Sequence, residues 1–311
     1  MANRIKEKYM AGKRYFDYPM LFLVIFLICF GLVMIYSTSS YKSTVTYGNS
    51  YHWLLRQAVA IVLGAVAMVV CCKLDYRIIK SEKVGNGCYW ASIVLLVLVL
   101  IIGAAKKGAV RWISIAGFQF QPSEVSKILV VIYLANRLSA NAHKIRTFKD
   151  SIVIVLPTVP IIALIVTQNL STALVVCSMI GVMLFVVSPK MKELMLTAGG
   201  GIILLFVYLL TANSYRNERV QIWLHPESHK KGFQTMQALY AIGSGGIFGK
   251  GLGQSMQKMG FIPESHNDMI FSIICEELGL FGAVCLILVF VALIFRMLLI
   301  ALNTEDLFGS L

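Results

Sequence analysis

The sequence predicts an all-α fold, a polytopic membrane helix bundle, from three observations. Only 14% of the 311 residues are charged while 58% are hydrophobic, against about a quarter charged in soluble globular proteins. Mean hydropathy is +0.77. The apolar residues gather in runs long enough to cross about 30 Å of hydrocarbon, separated by short basic segments. The net charge of +13 sits in clusters between those runs rather than along one stripe. That is the pattern of helix ends facing anionic lipid, so it argues for membrane lipid and against nucleic acid as a partner.

Eight candidate spans follow in order. The first, Met20 to Thr38, has a basic flank like a signal peptide, but it is long enough to span and no A-x-A-like site follows, so it reads as an uncleaved helix. Trp53 to Cys72 and Tyr89 to Ala105 come next. Pro122 to Leu138 opens on a proline where the missing N–H is harmless. Ile152 to Thr167 contains Pro157 and Pro160, which predict a kink whose freed carbonyls neighbours must satisfy. Only Gln168 and Asn169 separate it from Leu170 to Val187, so these two form a tight hairpin. Leu194 to Ala212 is seventh. Met269 to Ile300, the eighth, exceeds one span, which predicts a tilt or an interfacial start.

Lysine and arginine placement orients the bundle. Arg4, Lys6, Lys8, Lys13 and Arg14 share a side with Lys73, Arg77, Lys80 and Lys83, with Arg137, Lys144, Arg146 and Lys149, and with Lys190 and Lys192. The expectation is a cytoplasmic N-terminus and one large extracytoplasmic loop, 213–268, between the seventh and eighth helices. With no internal repeat and no low-complexity linker, residues 1–311 read as a single domain. The seven cysteines, Cys29, Cys71, Cys72, Cys88, Cys177, Cys275 and Cys285, form no C-x-x-C pair and read as packing residues.

The stretch from Tyr215 to Gly282 is where chemistry concentrates, because it is polar and carries charges at both ends. Arg216 and Arg219, three apart, are spaced to clamp a diphosphate or to snorkel at the interface. The glycine run from Gly243 to Gly253 fails as a Walker A loop, since Ser244 and Gly251 stand at required positions; it reads as tight turns and close backbone approach. His225, His229 and His266 lack the committed spacing of a zinc site. Asp268, at the entry to the eighth helix, suits an N-cap, a general base, or both. Glu276 and Glu277 point about 100° apart on a helix, so one is expected to meet a cation or polar cavity and the other the interface. Glu124 and Lys127 share a face of the fourth helix, as a structural ion pair or as the lining of a groove.

Taken together these residues resemble the SEDS family (shape, elongation, division and sporulation) of membrane glycosyltransferases. The resemblance rests on Arg111-Trp112-Ile113, Phe120-Gln121-Pro122-Ser123-Glu124 with Lys127, and Asn169-Leu170-Ser171-Thr172-Ala173. It continues through Arg216, Arg219 and Pro226, the Ala241 to Gly251 glycine block, and Pro263-Glu264-x-His266-x-Asp268 with Glu276-Glu277-x-Gly279. It is strongest to the cell-division branch, with sporulation and elongation members near. Asn267 stands where threonine is common in the family.

The resemblance implies a peptidoglycan glycosyltransferase that polymerises lipid II during cell division and releases undecaprenyl diphosphate. Asp268 matches the catalytic aspartate, the implied general base. Arg111, Gln121, Ser123, Glu124, Lys127, Arg216, Arg219, Lys250, His266 and Glu277 are implied to line the substrate groove, which admits a divalent cation, Mg or Mn, beside the leaving diphosphate. The implied partners are lipid II, a class B penicillin-binding protein acting as transpeptidase, and other divisome membrane proteins. The implied place is the bacterial plasma membrane at the division septum, with the active site outside. Family members usually have ten helices, so two more are expected beyond Leu311. A lipid II flippase and a non-catalytic divisome scaffold are the alternatives.

Overall fold

The structure, a computed structural model, describes residues 16–106, 109–115, 118–145, 147–188, 193, 196, 199–200, 221–229 and 232–311. The described residues are helical apart from one short sheet and the turns that join the elements, and six helical segments among them are long and apolar enough to cross a membrane. The helix bundle read from the sequence is therefore what forms. The seventh expected span lies almost wholly outside the described residues, as do Arg216 and Arg219. The chain divides into two compact units, one within Met1–Lys73 and Tyr208–Asn303, the other within Leu74–Val207 and Thr304–Leu311.

In the first unit, α1 (Tyr18–Tyr47) starts at Asp17, whose side chain accepts from the N–H of Met20 at 2.9 Å, and ends at Gly48 with φ 68°. It runs well beyond Thr38, and Ser37, Thr38, Ser39 and Ser43 on one side of it are buried against protein while Tyr41, Val45 and Tyr47 are exposed. Then α2 (His52–Lys73) returns. After the 3₁₀ turn Pro226–Ser228 come α8 (Phe233–Gly245) and α9 (Ile270–Asn303). Met34 of α1 packs with Ile274 and Leu286 of α9, while Ala241 of α8 packs with Ile262 and Ile273. The length of α9 comes from a break rather than a tilt: Gly279 has φ 68° and ψ −170°, so two helices meet there.

The second unit contains α3 (Glu82–Ile102), α4 (Pro122–Asn141), α5 (Phe148–Val155), α6 (Val159–Gln168), α7 (Leu170–Val187) and the short α10 (Leu307–Ser310). Between α3 and α4 lies an antiparallel sheet that periodicity did not reveal: β1 (Ala104–Lys106), β2 (Ala109–Ile115) and β3 (Phe118–Phe120), in the order β1-β2-β3. The Pro157/Pro160 kink is the 3₁₀ turn Leu156–Thr158, where Thr158 Oγ1 donates to the Val155 carbonyl at 2.8 Å. Asn169 ends α6 and caps α7, its side chain accepting from Ser171 N and Thr172 N, which makes the tight hairpin. Leu96, Val130, Leu134, Ile161, Ile165, Val176 and Phe308 are among the residues of one apolar core.

Candidate functional site

The site in the first unit is built around the break in α9. Ending a helix inside an apolar span leaves carbonyls and N–H groups that hydrocarbon cannot satisfy. The glycine-rich turn after α8 supplies the partners. Lys250 N and Gly251 N donate to the carbonyls of Glu276 and Glu277, each at 2.9 Å, and Leu280 N and Phe281 N donate to the carbonyls of Gly246 and Ile247 at 2.9 and 3.0 Å. A side chain at Gly245 would overlap the Cys275 carbonyl, and one at Gly249 (φ 78°) would overlap that of Glu277. The glycine run is thus the backbone complement of a broken helix.

The two carboxylates at the break are both fully buried. Glu276 accepts from Lys250 Nζ at 2.7 Å, from Ser255 Oγ, and from Met256 N at 3.3 Å. Glu277 accepts from Lys258 Nζ at 2.8 Å, from Ser255 N at 3.4 Å, and from Ser37 Oγ, which lies 2.7 Å from its nearer oxygen. Lys258 Nζ also donates to Ser37 Oγ at 3.0 Å. The expectation that one glutamate faces the interface is therefore corrected. Each points its own way, and each meets its own lysine, because the 250–258 segment wraps both sides of the helix. Burying either charge alone would cost several kcal/mol.

Lys258 and Ser37 were not singled out from the sequence. The signal was there: two acids in an apolar span demand two cations, and Lys258 is the only lysine or arginine between Gly251 and Asp268. Above this pair, α1 and the segment from Leu252 to Met259 enclose a groove of about 590 Å³ with Tyr36, Tyr41 and Val45 on its walls.

Next along the chain, Pro263 to Asp268 forms a tight turn in which Glu264 holds φ 54°, the one described non-glycine residue with positive φ. Asn267 N donates to the Glu264 carbonyl at 3.0 Å, and Asn267 Nδ2 to Glu264 Oε2 at 3.2 Å. Two buried residues pin the turn. Ser265 Oγ donates to the Thr38 carbonyl at 3.4 Å, and the His266 ring packs at a 37° tilt against Trp53, 4.8 Å between centroids. Both His266 nitrogens are buried with no partner among the described residues. Burial holds its pKa below the ordinary value, with Lys42 adding to the effect and Glu264 opposing it.

Asp268 follows, exposed, with no hydrogen bond or ion pair to any described residue. It does not cap α9, which begins at Ile270; Ile270 N instead donates to the Asn267 carbonyl at 3.4 Å. The carboxylate is left open to an incoming group.

The remaining candidates belong to the second unit. Arg111 lies on β2. Gln121 precedes α4 and donates from Nε2 to Ser123 Oγ at 3.0 Å, with Ser123 buried. Lys127 pairs with Glu124 at 2.8 Å, the side chains 23% and 54% exposed. Its carboxylate reaches solvent, unlike those of Glu276 and Glu277 at the α9 break.

No group of three or more His, Cys, Asp or Glu side chains that could by itself hold a metal ion is found among the described residues, and the carboxylates of Glu276 and Glu277 are each paired with a lysine.

Comparison with known proteins agrees with this architecture. The family model for FtsW, RodA and SpoVE cell cycle proteins matches residues 18–311. The chain is 36% identical over 306 residues to a probable peptidoglycan glycosyltransferase FtsW of Geobacter metallireducens, covering 94% of this chain and 79% of that one. It is 34% identical to the stage V sporulation protein E of Bacillus subtilis, covering 94% and 81%. Among solved structures, it superposes with a TM-score of 0.74 and 28% identity on a chain from a study of how a peptidoglycan synthase complex coordinates polymerization and crosslinking, covering 96% and 83%. On the rod shape determining protein RodA of Thermus thermophilus the values are 0.66 and 26%, covering 95% and 78%. By sequence and by fold, the chain belongs to the FtsW, RodA and SpoVE family of cell cycle proteins, the SEDS family its motifs resemble.

Proposed function

We propose that this chain is a peptidoglycan glycosyltransferase that polymerises lipid II into glycan strands during cell division. The relatives named as peptidoglycan glycosyltransferases support the activity. The observation that carries the site is the placement of Asp268: an exposed carboxylate without a partner among the described residues, on a turn anchored by Ser265 and His266 and leading into a broken helix. A general base needs that combination of fixed backbone and open side chain.

In the reaction, Asp268 takes the proton from the 4-hydroxyl of the acceptor N-acetylglucosamine as that oxygen attacks the anomeric carbon of the donor. The new glycosidic bond forms while the bond to the diphosphate breaks, and undecaprenyl diphosphate leaves. By resemblance, Arg111, Lys127, Arg216 and Arg219 are assigned the positive charge for the diphosphate, and Gln121, Ser123 and Glu124 further contacts to substrate. Glu277, fully buried, acts by holding Lys258 and the loop, and Lys250 by holding Glu276.

The basic clusters support a cytoplasmic N-terminus and a site facing outside. A solved relative from a complex that couples polymerization to crosslinking supports a class B penicillin-binding transpeptidase as partner at the septum. A second reading, a lipid II flippase, draws on the discontinuous α9 with its buried charges, a device of transporters. The pairing of every charge at the break favours a structural role for it there.

Purified protein in detergent, with no second compartment, incubated with lipid II separates the two readings. Glycan chains from the wild type and none from Asp268→Ala are expected. Polymer from Asp268→Ala overturns the assignment of the base, and no polymer from a folded wild-type sample overturns the enzyme.

A further inference from the structure

The second unit holds a polar cavity of about 450 Å³ that none of this chemistry uses. Its walls include Lys80, Glu82, Asn86, Arg137, Asn141 and Lys144. It lies where α3 begins and α4 ends, and α3 is one of the helices apolar enough to span. The cavity is therefore at the level where an apolar helix leaves hydrocarbon, whichever side of the membrane that is.

Its electrostatics favour one anionic group. Lys80 is engaged by Asp306 at 2.6 Å. Among the described residues, Lys144 Nζ meets only the neutral Asn141, whose Oδ1 accepts at 3.2 Å. Arg137 lines the cavity, and its Nε is buried without a partner among the described residues. Ser81, at the N-cap of α3, makes no capping bond, so the N–H groups of the first turn lack a side-chain acceptor. Setting Asp306 against Lys80 and Glu82 against one further cation leaves about one positive charge, which matches a phosphodiester. Glu82, Asn86 and Asn141 add acceptors suited to hydroxyl groups. Gly85 keeps the helices close at this point, since a Cβ there would sit 3.1 Å from Asn136 Cβ.

We propose that this cavity binds the headgroup of an anionic glycerophospholipid, with Arg137, Lys144 and the first turn of α3 on its phosphodiester and Glu82, Asn86 and Asn141 on its glycerol hydroxyls. The assignment does not depend on the glycosyltransferase reading. The full chain, delipidated in detergent, is titrated with phosphatidylglycerol, phosphatidylcholine and inorganic phosphate in parallel, with bound species counted by native mass spectrometry.

Selective retention of phosphatidylglycerol is expected, weakened about tenfold or more in Arg137→Gln/Lys144→Gln and largely kept in Arg137→Lys. Should the double variant fail to fold, Lys144→Gln, at an exposed position, gives a smaller but measurable loss. Equal retention of phosphatidylcholine, or equal retention by wild type and folded variants, overturns the site. Inorganic phosphate binding as tightly as the lipid overturns the lipid and assigns the cavity to a free anion.

Discussion

Lys258 Nζ lies 2.8 Å from Glu277 Oε1, with the two side chains only 6% and 0% exposed, and the pair fastens the loop after the glycine run to the broken helix. Ser37 of α1 bonds both partners, so three chain segments meet at one neutral cluster. Lys258→Met leaves the Glu277 carboxylate buried and uncompensated, and is expected to cost about 3–5 kcal/mol. Lys258→Met/Glu277→Gln removes both charges and is expected to recover most of that loss. Thermal unfolding in detergent reads both variants, and a double variant no more stable than the single one would show that charge is not what the cluster balances.

The glycines at the break divide into required and permissive positions. Gly279 has φ 68° and ψ −170°, a region essentially reserved for glycine, and a Cβ there would run into the backbone of Ile247 and Gly249. Gly279→Ala is expected to cost more than the ~1–3 kcal/mol of backbone strain alone, and Gly249→Ala to behave similarly. Gly243, inside α8 with open space around its Cα, is the control. Gly243→Ala is expected to be neutral or stabilising by roughly 0.5–1 kcal/mol through helix propensity. Thermal midpoints of the three variants give the ranking.

Much of this architecture was legible because a membrane demands it. Span-length apolar runs, the Pro157/Pro160 kink and the Asn169 hairpin follow from hydrocarbon length and from the need to satisfy every backbone group. The boundary of α1 was not, because Ser37, Thr38, Ser39 and Ser43 are polar in sequence and yet buried against protein. The β1–β3 hairpins escaped notice because Ala104 to Phe120 has neither span length nor alternation. Asp268 was found by its place at the entry to an apolar run, but its freedom from a capping role depends on where α9 begins, and boundaries are set by tertiary contacts. The Glu276/Glu277 pair in an apolar run demands compensating charge, but that both cations, Lys250 and Lys258, come from one loop depends on the loop's path.

His266 gives the turn before Asp268 a pH dependence. Burial against Trp53 lowers its pKa, so the folded protein takes up this proton only at a lower pH than the unfolded chain does, near 6.5. Between those two values the unfolded chain binds more protons, and stability rises with pH. The contribution is complete above about 6.5 and is lost as pH falls toward the folded value. His266→Phe keeps a ring against Trp53 and removes the titration. It is expected to show a shallower fall in thermal midpoint between pH 7.5 and 5.5 than the wild type; parallel curves would mean that the histidine is not titrating across folding.

Glu124 and Glu277 provide the sharpest separation of function from folding. Both carboxylates pair with a lysine at 2.8 Å, but the Glu124 side chain is 54% exposed and that of Glu277 is fully buried. An exposed pair contributes roughly 0–1 kcal/mol to stability, so Glu124→Gln is expected to leave the thermal midpoint nearly unchanged. If the Glu124/Lys127 pair lines the substrate groove, the same variant loses lipid II polymerisation by tenfold or more, the scale of a single charge-assisted contact. Glu277→Gln is expected to lower the midpoint and activity together, because its carboxylate holds Lys258 and the loop rather than a ligand. Polymerisation and unfolding measured on the same preparations distinguish the two. A Glu124→Gln enzyme with full activity would leave that pair a surface ion pair and nothing more.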